Sequence, residues 1–121
     1  MKEPLLTLCW LSLAAIHVLP AFTLFAPALL ERMYGVSPTS TTGLLLVHRG
    51  ALFLVVLAIA GFAAFSPTAR PAAKIVVSIS VLSFLAPYAR AGFPSGALRP
   101  IAIADAVALI PLALVASAAW R

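Results

Sequence analysis

The chain has 121 residues, of which 64% are hydrophobic and only 9% charged, with a formal net charge of +5. Soluble domains carry roughly 45–50% apolar and about 25% charged residues, so this composition cannot cover a surface in water, and the length suffices for one small domain. Its basic residues sit near the ends of apolar runs, where they meet lipid headgroups, which points to membrane lipid as the partner and not to nucleic acid.

Four apolar runs are present, at 5–26, 43–65, 72–88 and 98–120. Each comes near the roughly 17–25 residues that a helix needs to cross the hydrocarbon core, and isolated strands would leave backbone groups unpaired in lipid. Helices are therefore predicted at about 5–27, 43–65, 72–90 and 98–120. The expected fold is all-α, an integral membrane four-helix bundle of up-down-up-down topology formed by one transmembrane domain over residues 1–121.

The first run is longer than the roughly 7–15 residues of a signal-peptide core and is read as a retained helix. It holds Cys9, the one cysteine of the chain, which excludes an internal disulfide, a CxxC pair and a thiolate-rich metal site. His17 lies near its middle. Pro20 removes a backbone hydrogen bond to the Ile16 carbonyl and invites a kink beside that histidine. Glu31, Arg32 and Tyr34 follow, and then a first loop of breaker residues, Gly35 and 37–42.

In the second helix His48 and Arg49 lie about one and a half turns from the first loop. Ser66, Pro67, Arg70 and Pro71 mark the second loop. The third helix carries Ser78, Ser80 and Ser83 and ends at Tyr88 and Arg90; Gly92, Pro94, Ser95, Gly96 and Pro100 mark the third loop. In the fourth helix Asp105 lies about two turns from that loop, Pro111 invites a kink, and the pairs Ala102/Ala106 and Ala104/Ala108 have the spacing that allows close helix approach.

With alternating helix direction, loops 1 and 3 share a side. Nearly every ionisable group that enters the apolar runs then enters from that side: His17, Glu31, Tyr34, His48, Arg49, Arg90 and Asp105. The opposite half holds almost none apart from Lys74 and the terminal groups. A charge near the bilayer centre costs about 2.5–3.5 kcal/mol on insertion scales and normally pairs inside the bundle. Arg49 and Asp105 have comparable depth and opposite charge, so an ion pair or a shared network is expected. Tyr34 and Tyr88 also suit the aromatic belt at the membrane surface. The loop charges are nearly balanced, and the positive-inside rule places both termini in the cytoplasm.

The segments IHVLP, ERMYGV, LLVHRGALF and IADAVAL, in this order, resemble small bacterial four-helix membrane proteins of the DoxX-like type. The resemblance spans nearly the whole chain. It implies a four-helix fold in a bacterial cytoplasmic membrane and a polar site lined by Glu31, Tyr34, His48, Arg49 and Asp105. A phosphopantetheine adenylyltransferase activity, sometimes attached to such chains, is excluded by the lack of a Gly-rich phosphate loop and of strand–helix alternation.

The leading functional expectation is a non-enzymatic membrane protein whose one-sided polar pocket binds a lipid-like or anionic amphiphile, or docks a membrane partner protein or a second copy. Arg49, His48 and Asp105 would form the floor of that pocket and Arg90 and Arg99 its mouth, since arginine suits an anionic headgroup. One alternative is a membrane isomerase or quinone-linked oxidoreductase using His48 with Asp105 or Glu31 for acid–base work. Another is a purely structural or accessory subunit, the polar network only fixing helix register. A metal or haem held by His17 and His48 requires closing a depth difference of about 8 Å, and no cofactor or metal is predicted. A proton relay should cross the membrane, and the nearly uncharged far half argues against one.

Overall fold

The computed structural model describes residues 2–96 and 98–119. All regular elements among them are helical: α1 (Glu3–Ile16), α2 (Val18–Phe22), α3 (Leu29–Tyr34), α4 (Thr41–Phe65), a 3-10 turn (Pro67–Ala69), α5 (Arg70–Arg90) and α6 (Arg99–Ala119). The segments Thr41–Phe65, Pro67–Arg90 and Arg99–Ala118 are each long and apolar enough to cross a membrane. They correspond to the second, third and fourth predicted helices; Trp120, the predicted end of the last, lies outside the described residues.

The first predicted helix, 5–27, is not continuous. A helix through position 20 would need an amide hydrogen there for the Ile16 carbonyl, and Pro20 has none. The chain tightens just before it, where His17 N–H donates to the Ala14 carbonyl at 3.0 Å, three residues back. Helix α2 resumes with Ala21 N–H donating to the His17 carbonyl at 3.1 Å. It stops at Thr23, whose hydroxyl donates to the Pro20 carbonyl at 2.8 Å. Short-range turns lead on to α3, a six-residue helix that the sequence pattern does not predict. Its Leu30 is fully enclosed.

Helix α4 starts two residues before its predicted position because Ser40 caps it. The Ser40 hydroxyl accepts from Gly43 N–H at 2.9 Å and donates to the Ser37 carbonyl at 2.7 Å, which satisfies one of the orphan donors of the first turn. The loop lies directly on this turn: a Cβ at Gly43 would fall 1.9 Å from the Ser37 carbonyl oxygen.

Helix α1 packs against α4 and α6, and α5 packs against the same two helices from its own side, while α2 lies on α4. The core is built from Trp10, Leu13, Val77, Val81, Leu112 and Val115, interleaved with fully buried alanines at 60, 63, 64, 73 and 108. Small residues bring helices close where lipid offers no hydrophobic drive between them. Of the predicted small-residue pairs on α6, Ala102 and Ala108 face inward, whereas Ala104 and Ala106 are exposed. Many of the largest apolar side chains point outward, among them Leu8, Leu45, Phe62, Phe65, Ile79 and Ile110. Contiguous apolar surface of this kind is rare on soluble monomers.

The start of α1, the end of α4 and the start of α5 meet around Arg70. Its Nε donates to the Ala63 carbonyl at 2.8 Å and its Nη2 to the Ala64 carbonyl at 3.1 Å. These are carbonyls of the last helical turn, which the helix itself leaves unsatisfied. The rest of the guanidinium forks onto the Glu3 carboxylate, at 3.0 and 2.5 Å. Thr7 adds a hydroxyl bond to the Ala64 carbonyl at 3.0 Å. Arg70 and Lys74 are buried, so the expectation that this half holds only peripheral anchoring charges is corrected. Carbonyls at a helix end need a donor, and a Pro-bounded turn puts Arg70 under them.

Glu3 precedes the first apolar run, and its hydrogen bond from Arg70, aided by the charge of that residue and opposed by desolvation, holds its carboxyl below the ordinary value. A carboxylate depressed in the folded state contributes stability above its unfolded pKa, about 4.3, and loses it as pH falls through the folded value. Melting in neutral-lipid nanodiscs from pH 6 down to pH 3 is expected to show stability declining below about pH 4.3. Glu3→Gln should flatten that decline; an identical pH profile in the variant would contradict the assignment.

Candidate functional site: two cavities around Phe53

At the other end of the helices two cavities share one wall, the ring of Phe53. The larger, about 540 Å³, is a groove between α4 and α5. Its polar residues are Arg49, Ser80 and Ser83, and the rest of its wall is aliphatic and aromatic. Three of its lining residues, Leu52, Val55 and Ile79, are more than half exposed, so the groove opens on the outer face of the molecule. The smaller cavity, about 300 Å³, lies between the α1–α2 break, α3 and the start of α6; it gathers His17, Pro20, Arg32, Met33 and Asp105.

The α4 helix places Arg49 and Phe53 one turn apart on the same face. The Arg49 guanidinium lies 4.7 Å from the Phe53 ring centroid and 5.4 Å from that of Phe84 on α5, a cation held over two aromatic faces. The expected contact ion pair with Asp105 is not formed: among the described residues the ion pair within 4 Å is Glu3–Arg70. The reason is rotational. Arg49 is drawn to the α4–α5 side, whereas Asp105 lines the cavity on the α1–α6 side. The two still sense each other through the field. Tyr34, half-buried on α3, has its phenol pushed up chiefly by burial, with the Arg49 charge opposing and the Asp105 charge adding. The three groups therefore form one loose electrostatic cluster.

His17 ties the two halves together. Its Nδ1 lies 2.8 Å from the Leu13 carbonyl and its Nε2 3.0 Å from the Ser80 hydroxyl. A carbonyl only accepts, so Nδ1 carries the hydrogen; in the neutral ring Nε2 then accepts from the Ser80 hydroxyl. The imidazole also packs against Phe53, with ring centroids 5.7 Å apart. Gly50, one turn before Phe53 on α4 and one residue from Arg49, makes the close approach to α2 possible. A Cβ there would lie 2.4 Å from Thr23 Oγ1 and 3.2 Å from two backbone atoms of the α2 region.

Of the predicted site residues, His17, Arg49 and Asp105 line these cavities and Tyr34 couples to them. Three others do not join them. His48 is exposed on α4, about 100° around the helix from Arg49. Glu31 is exposed on α3, and Arg90 is exposed in the last turn of α5. The proposed floor of His48 with Arg49 and Asp105 is thereby corrected, as is a mouth formed by Arg90. Arg99 instead lines a separate recess with Tyr88 and Phe93, where the Tyr88 hydroxyl donates to the Pro94 carbonyl and folds the third loop back on α5. His17 and His48 do not share a cavity, and no cluster of three or more His, Cys, Asp or Glu suited to a metal occurs among the described residues.

Phe53 and Phe84 are the site residues that reasoning from polar groups overlooks, and Ser80 is noted there as one of three serines of the third helix with no place in the site. The spacing Arg49–Phe53 and Ser80–Phe84, four residues in each case, is the signal that would have found them.

Comparison with known proteins finds no family model that matches the chain, no matching curated protein and no matching solved structure.

Proposed function

We propose that the protein is an integral membrane four-helix bundle of up-down-up-down topology, DoxX-like in type and seated in a bacterial cytoplasmic membrane with both termini cytoplasmic. Its α4–α5 groove binds an anionic, lipid-like amphiphile, with the apolar tail along the aliphatic wall and the headgroup at Arg49. In this arrangement α1 and α2 together form the first crossing.

The observation that carries this reading is the state of Arg49. It lines an apolar groove that opens sideways, sits over Phe53 and Phe84, and has no carboxylate within 4 Å among the described residues. A cation at membrane depth requires a counter-charge, and an amphiphile entering from the bilayer brings one. A cavity of about 540 Å³ is within the usual size of small-ligand sites.

Native mass spectrometry of the protein released from nanodiscs tests this. The wild-type chain should retain a species of defined mass, and the palmitate anion added as a probe should bind. Charge-assisted hydrogen bonds contribute about 1.5–3 kcal/mol, so Arg49→Gln should weaken palmitate binding roughly 10–100-fold. Equal retention by the wild type and Arg49→Gln would remove Arg49 as the headgroup site.

A further inference from the structure

A serine hydroxyl is a weak nucleophile until an adjacent base takes its proton, and the base must be held in one tautomer by a third group. The hydrogen bond between His17, at the α1–α2 break, and Ser80 on α5 meets both conditions. The Leu13 carbonyl holds the hydrogen of His17 on Nδ1, at 2.8 Å, which leaves the Nε2 lone pair facing the Ser80 hydroxyl at 3.0 Å. The imidazole is only 2% exposed and packs against Phe53, so its orientation is fixed. Ser80 is half-buried and lies on the wall of the α4–α5 groove, together with Arg49. The nucleophile and a cation thus line one groove, and the base, held by its orienting acceptor, stands behind the nucleophile, on the wall of the neighbouring cavity.

We infer that Ser80 and His17 form a nucleophile–base dyad that cleaves an acyl ester of an amphiphile lying in the α4–α5 groove. This rests on the reading of the groove as an amphiphile site. Ser80 Oγ bonds to the ester carbonyl carbon, its proton passes to His17 Nε2, and the carbonyl π pair moves to the oxygen, whose charge is offset by Arg49. Collapse breaks the bond to the alkoxy oxygen, which leaves as an alcohol with the proton from Nε2. Water then attacks the acyl-Ser80 carbon, giving its proton to Nε2. The Oγ–carbon bond breaks, Ser80 recovers the proton, and a carboxylic acid departs. Ester and water become alcohol and acid, with no change of oxidation state.

The test uses the full chain in nanodiscs and a long-chain alkyl fluorophosphonate, with the adduct located by peptide mass spectrometry. The expected result is one adduct per chain on Ser80. It should be absent in Ser80→Ala and unchanged in Ser78→Ala, which alters a serine on the same helix outside the groove. General-base assistance is worth about 10²–10⁴-fold, so His17→Gln should slow labelling by roughly 100-fold or more. No adduct on the wild-type chain overturns the inference whatever the variants do, as does labelling of Ser78 or Ser83 as fast as Ser80, or an unchanged rate in folded His17→Gln. Palmitate binding without an adduct would sink the dyad and leave the groove as a binding site. An adduct without palmitate binding would sink the binding assignment and leave the dyad.

Discussion

Arg70→Met is expected to lower the unfolding free energy by roughly 2–3 kcal/mol, measured by chemical denaturation in mixed micelles with circular dichroism. The methionine keeps much of the apolar stem and removes the donors. The Ala64 carbonyl retains its bond from Thr7, at 3.0 Å, but the Ala63 carbonyl loses its donor. An unsatisfied buried group costs about 1–3 kcal/mol, and a lost hydrogen bond to a charged group about 1.5–3 kcal/mol. Removal of the desolvation cost of the guanidinium offsets part of the sum. Arg70→Lys keeps the charge without the planar fork and should fall between the two. A loss below about 0.5 kcal/mol, the ordinary range for surface changes, would show that Arg70 is an interfacial anchor after all.

The second large effect is expected at Gly50. Gly50→Val should cost at least about 3 kcal/mol, the upper end for overpacking, because two of the three atoms in the way are backbone, the Leu24 nitrogen and the Pro20 carbonyl oxygen, both at 3.2 Å. These cannot rotate away, so α2 must separate from α4. The third atom, Thr23 Oγ1 at 2.4 Å, is a side chain. A double-mutant cycle therefore separates the contributions: Gly50→Ala should destabilise less in a Thr23→Ala background than in the wild type. Additive losses would show that Thr23 does not limit the approach. Because Gly50 adjoins Arg49, palmitate binding should weaken in Gly50→Val along with stability.

The positions of α4, α5 and α6 were legible because long apolar runs between Pro and Gly clusters have one solution in lipid, the helix. The break at His17 was half legible. Pro20 announces a missing hydrogen bond, but whether the chain bends gently or divides into two helices depends on what α2 lands on, and Gly50 is what lets it land on α4. Helix α3 was hidden because a six-residue helix is not stable by itself; enclosure of Leu30 and contact with α4 hold it.

The candidate site divides along the same line. Depth is a property of position along a helix, so the sequence shows that His17, Arg49, Asp105 and Tyr34 belong to one end of the molecule. Rotation about the helix axis is not so determined in a chain that is apolar almost all round. His48 and Arg49 are neighbours in sequence, yet one is exposed and the other lines a groove. The Arg49–Asp105 pairing drawn from depth and opposite charge gave way to a cation over two rings, with Asp105 facing another cavity.

Composition and the spacing of apolar runs determined by themselves that this chain is helical, where its three long apolar helices lie, and at which end of them most of the ionisable groups inside the apolar runs gather; that the first of the four expected crossings divides into α1 and α2 was decided by the structure. These follow from local backbone hydrogen bonding and hydrophobicity, which each segment carries alone. The tertiary structure decided that Arg70 reaches Glu3 across 67 residues, that His17 meets Ser80, and that Phe53 divides two cavities. Those contacts depend on how far each helix is turned toward its neighbours, and that angle is set by the jigsaw of alanines, glycine and Trp10 in the core.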